Sequence, residues 1–150
     1  MPRIRYEPAD DVCEAVKALT KLDEFSHIDA SRVYCVRSYG ARTSAIARIY
    51  GTPRAWLAVG RQPEYLIEVI AEKFYRLSPT RRLEVIIHEL LHIPKTFSGG
   101  LRPHGRHVND VKVKSIYAKA ASMGIASNTI RIWRSFGSPS RSKKRAGPSM

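Results

Sequence analysis

The chain has 150 residues, 43% of them hydrophobic, which suits one domain with a modest core. Its formal net charge of +13 favours polyanions, nucleic acid among them, without choosing a partner. No apolar run approaches the ~20 residues that span a bilayer, and the N-terminal MPRIRYEPADD lacks the apolar core of a secretory signal. A cytoplasmic protein without a transmembrane segment is therefore expected.

Residues 8–22, PADDVCEAVKALTKL, predict a helix. Val12, Ala15, Val16, Leu19 and Leu22 form one apolar face, and Asp10 and Asp11 sit where the helix dipole favours negative charge. His27 follows in the polar connector EFSHIDAS and reads as a structural or exposed histidine. VYCVR, residues 33–37, is β-branched and aromatic and predicts a strand. Cys13 and Cys35 have no partner at metal-ligand spacing, so two reduced thiols are expected. AIARIYG, residues 45–51, fits a strand or the start of a helix through Trp56, with Pro53 favouring a break. The first half of YLIEVIAEKF, residues 65–74, predicts another strand. Residues 30–63 carry six arginines and no acid.

Ser78-Pro79 marks a helix start, Ser as N-cap and Pro at the first helical position. The helix runs through TRRLEVIIHELLHI, with Leu83, Ile86, Ile87, Leu90 and Leu91 as a broad apolar stripe, until Pro94 stops it. KTFSGGLRP is a loop with a tight turn at Gly99-Gly100. A further helix is predicted over 106–122, with Val108, Val111, Ile116 and Ala120 inward. SNTIRIWR, residues 127–134, is short and amphipathic. Residues 135–150 have the Ser, Gly, Pro and basic composition of a disordered tail, which leaves 1–134 as the single domain.

Four of the five histidines lie between residues 88 and 107. His88 and His92 are four apart, so on a helix they share one face one turn apart and can bind one cation, zinc being the usual occupant of an open His-rich site. Glu89 points about 100° away from His88. There it can reach a metal-activated water and act as general base, then deliver the proton to a leaving amine. Three polar residues interrupting a buried helix would be costly without a partner, and a metal removes most of that cost. A third ligand is needed. Position 98 is Ser, no glutamate follows Glu89, and Asp110 is the one later carboxylate. His104 and His107 remain. They are three apart, and both follow a loop able to turn the chain back over the helix. Arg102, Tyr75 and Tyr117 are candidates for stabilising the oxyanion.

HELLH, a Gly-containing loop and then PHGRHV resembles the SprT-like zincins, with HExxH, a variable loop, then His-Gly at the head of another helix. The stretch from about Ile46 to Val108 looks more closely like the phage-type and archaeal metallopeptidases, whose HELLHIPKTFSGGLRPH segment is nearly this one. The resemblance implies His104 as third zinc ligand, with His107 the runner-up, and Val108 as an apolar anchor. It also implies a protein or peptide substrate. The SprT likeness raises a DNA- or nucleoprotein-associated protease as an alternative, and a non-catalytic, metal-stabilised basic binding module is another. The expected fold is α+β: a minimal zincin-like domain, its small, mainly antiparallel sheet packed on the active-site helix, with a second ligand-bearing helix. The strand at 65–70 is the candidate edge for presenting an extended substrate.

Overall fold

The structure, a computed structural model, describes residues 3–136; the tail predicted after residue 134 falls almost entirely outside them. Chain order is β1 (Arg5–Pro8), α1 (Asp10–Leu19), β2 (Val33–Tyr39), β3 (Ala47–Tyr50), α2 (Arg54–Ala58), β4 (Tyr65–Ile70), α3 (Ala71–Phe74), α4 (Pro79–Leu91), α5 (Asp110–Ser122) and α6 (Ile125–Phe136). The α+β expectation holds. The strands form one mixed sheet in the order β1-β2-β4-β3, with β2 and β4 parallel and both outer pairs antiparallel.

Strand alternation separates the two faces of the sheet. Val33, Cys35 and Tyr39 of β2 and Tyr65, Ile67 and Val69 of β4 belong to the buried core. Helix α1 packs on β2 and α4 on β3, while α5 and α6 pack on α4 and on each other. The predicted stripe of α1 is buried as expected. Beneath it, Asp11 accepts hydrogen bonds from Arg37 (2.9 Å), Tyr75 (2.5 Å) and Trp133 (2.8 Å), so one carboxylate joins α1, β2, the end of α3 and α6.

Three local features add to or alter the sequence reading. The short strand β1 is carried by Arg-Tyr-Glu-Pro, which has little β signature and is stabilised by pairing with β2. The 45–51 ambiguity resolves as strand β3, and Pro53 starts the separate turn of helix α2. Helix α5 begins at Asp110 and not at 106. Gly105 has φ +144 and its N–H bonds the Val108 carbonyl, so residues 105–108 form a turn. Asn109 then caps the helix by accepting from the Lys112 N–H. Both candidate third-ligand histidines thus lie on the loop ahead of the helix. Among the described residues, no helix is long and apolar enough to cross a membrane.

Candidate metal centre

Ser78 caps α4 by accepting the Arg81 N–H, with Pro79 in the first turn. Leu83, Ile86, Ile87, Leu90 and Leu91 face the core, as the sequence predicts. That packing leaves His88 and His92, half-buried and one turn apart, facing a cleft of about 550 Å³. Their rings lie 5.2 Å apart. The helix ends at Leu91, but His92 keeps helical dihedrals as its C-cap, so the pair stays in register.

The chain then doubles back. Phe97 adopts a left-handed conformation, φ +47, with its ring 5.0 Å from that of Tyr65. The Tyr65 hydroxyl accepts the Gly99 N–H (2.8 Å) and donates to the Gly100 carbonyl (2.9 Å). Thr52 N–H bonds the Gly99 carbonyl, and a Cβ on Gly51 would stand 2.1 Å from that same oxygen. The return loop is therefore clipped to the segment after β3 and to the buried start of β4. Arg102 closes it. Its N–H bonds the His92 carbonyl, and its side-chain Nε bonds the Leu91 carbonyl.

This loop brings His104 to the helical pair. His88 Nε2 and His104 Nε2 are 3.0 Å apart, and the His92 and His104 rings are 4.7 Å apart. One ring nitrogen from each of His88, His92 and His104 lies within 4.8 Å of the others, the spacing of donors able to share one ion. His92 Nδ1 donates to the Arg102 carbonyl at 2.7 Å, which fixes the tautomer and leaves Nε2 as donor atom. Burial, then repulsion between neighbouring imidazoles, lowers the His88 pKa; burial lowers that of His92. Both shifts favour the neutral, metal-binding form. His107 is exposed and outside the cluster.

Glu89 lines the same cleft. It is 6% exposed, and burial alone pushes its carboxyl up to about 8. It has no hydrogen-bond or ion-pair partner among the described residues. A buried, unpartnered carboxylate beside three imidazoles is what a cation would satisfy, so the residues fit a bound metal.

The oxyanion candidates go elsewhere. Tyr75 is buried against Asp11 and Arg37, Tyr117 reaches Thr80 at 3.4 Å, and Arg102 is occupied with the end of α4. None lines the cleft. The substrate-strand expectation is also corrected. β4 is paired on both sides, whereas β3 is the sheet edge, and Ser44 to Ile49 form the wall opposite α4. Sequence reasoning missed Tyr65, Gly51 and the edge position of β3, since all three are set by tertiary packing.

Residues 4–124 match the family described as putative phage metallopeptidase, and the chain belongs to that family. No curated protein and no solved structure matches the chain.

Proposed function

We propose that this member of a metallopeptidase family is a zinc-dependent peptidase, with His88, His92 and His104 as ligands and Glu89 as general base. The observation that carries this reading is the meeting of three imidazoles, from a helix and a returning loop, beside a buried carboxylate with no partner among the described residues. Three nitrogen donors with no fourth protein ligand among the described residues suit an open, catalytic zinc site better than a closed structural one.

A bound zinc ion lowers the pKa of a water towards ~7 and polarises a carbonyl. The chain's own residues do the rest. Glu89 takes the proton from the attacking water and passes it to the leaving amine. The Arg102 carbonyl holds the His92 ring through Nδ1. The free edge of β3 receives an extended peptide as an added strand, so main-chain hydrogen bonds lay the scissile bond across the cleft. The exposed Asp110 also lines the cleft, as do Arg48 and Arg81, each paired with a buried glutamate, and these set the charge preference beside that bond.

The test is metal content. Purified protein carries about one zinc, His104→Ala loses it or binds at least tenfold more weakly, and His107→Ala keeps it. Full retention in His104→Ala with loss in His107→Ala overturns the ligand set.

A further inference from the structure

The sheet face turned away from the helices carries a second cleft. Strand register places Tyr34, Leu66 and Tyr50 in one row across β2, β4 and β3. Trp56 of α2 closes one end, giving a cleft of about 480 Å³ that Arg61 and Glu64 also line. It shares no lining residue with the histidine cleft. The exposed aromatic side chains among the described residues are Tyr6, Tyr34, Tyr50 and Trp56, at 54%, 49%, 42% and 54%. Three of them line this cleft, and Tyr6 lies on the same face, opposite Ser38 of β2. An open sheet face is ordinarily polar, so this concentration of exposed rings marks a binding surface.

The rings are held in place. The Tyr50 hydroxyl donates to Glu68 at 2.7 Å, and the Tyr34 hydroxyl to Glu64 at 3.1 Å. Glu68, 1% exposed, is neutralised by Arg48 at 2.9 Å and so presents little negative charge to a ligand. Arg61 lies 5.7 Å from the Trp56 ring centroid. Its contact with Glu64 is 3.5 Å, and that of Arg32 with Asp29 is 3.4 Å. Such exposed pairs are weak and yield to phosphate. Arg42 and Arg54 are exposed as well.

We propose that this cleft binds single-stranded nucleic acid, stacking unpaired bases on Tyr34, Tyr50 and Trp56 while Arg61 at the cleft and the accessible Arg32, Arg42 and Arg54 hold the phosphates. Aromatic faces beside arginines recognise unstacked bases, which a duplex does not offer. Arg61 offsets Glu64 at the cleft, and the exposed Arg42 and Arg54 with the net charge of +13 disfavour a cationic ligand. This site is independent of the peptidase reading, because neither the histidines nor Glu89 contributes to it.

The test uses the full chain with labelled oligothymidylate, oligouridylate and a duplex of equal length. Trp133 is 3% exposed, so emission that a ligand quenches comes from Trp56. Both single strands are expected to quench it and the duplex to leave it unchanged; the tighter of the two identifies DNA or RNA as the preferred strand. Trp56→Ala and Tyr34→Ala should each weaken single-strand binding about tenfold at fixed salt, with the salt dependence and the zinc content unchanged. Basic segments elsewhere bind wild type and variants alike, so the difference isolates the cleft. Equal affinity in both variants, or duplex binding as tight as single-strand binding without quenching, overturns the proposal. So does Trp56 quenching by an uncharged peptide with none by either oligonucleotide.

Discussion

At the scale of single residues, the histidine cluster depends on groups that do not line its cleft. Tyr65 clips the return loop through Gly99 and Gly100, and Gly51 leaves room for the Gly99 carbonyl. Adding a methyl group in Gly51→Ala must push a backbone oxygen aside, and His104 lies five residues beyond Gly99 on that loop. Gly51→Ala and Tyr65→Phe are each expected to weaken zinc binding about tenfold in a chelator competition, with the circular dichroism of the fold retained. Unchanged affinity in both would show that the loop is positioned by other contacts. His88, Glu89 and His92 were legible because helical periodicity fixes their relative directions. His104 was legible through the family resemblance, since spacing left His107 open. Tyr65 and Gly51 were not legible. Nothing in the sequence reveals that a hydroxyl on one strand meets a loop 34 residues later.

At the scale of elements, two buried carboxylates fasten the helices. Asp11→Ala leaves Arg37, Tyr75 and Trp133 without their shared acceptor. Removing one partner from such a buried cluster costs about 3–5 kcal/mol, to be read as a lower denaturant midpoint at unchanged slope. A loss below ~1 kcal/mol would contradict the central role of this network. Glu84 ties α4 to α5 through Lys114 at 2.8 Å. Burial opposes its ionisation, but hydrogen bonds from Lys114 and Arg81 prevail and hold its carboxyl below the usual value. A depressed folded-state pKa contributes stability above the unfolded value of ~4.3, lost as pH falls through the folded value. The stability gap between wild type and Glu84→Gln should thus be flat above pH ~5 and shrink below pH ~4. Because both cations are more than half exposed, the gap is about 1 kcal/mol or less. A gap that grows on acidification would contradict this assignment. The stripes of α1 and α4 and strand β2 were legible from apolar pattern, whereas on α5 Val111, expected inward, is 80% exposed and Val113 takes the buried position. β1 and the start of α5 were not, since strand pairing and the Gly105 turn override weak local propensity.

At the scale of the molecule, the α+β class followed from element order, but strand order did not. Residues 65–70 read as a strand and 45–51 as either a strand or a helix start, and only the placement of β4 between β2 and β3 leaves β3 as the edge beside the histidines. Among the described residues the histidine cleft and the aromatic cleft lie apart, sharing no lining residue, and the family match covers both. The catalytic claim rests on Glu89, a buried carboxylate beside a three-histidine cluster. Its most direct test compares wild type with Glu89→Gln for zinc content and for cleavage across a peptide library. The account predicts unchanged zinc and a loss of cleavage of about 10²–10⁴-fold. Equal cleavage by the zinc-loaded variant would contradict it.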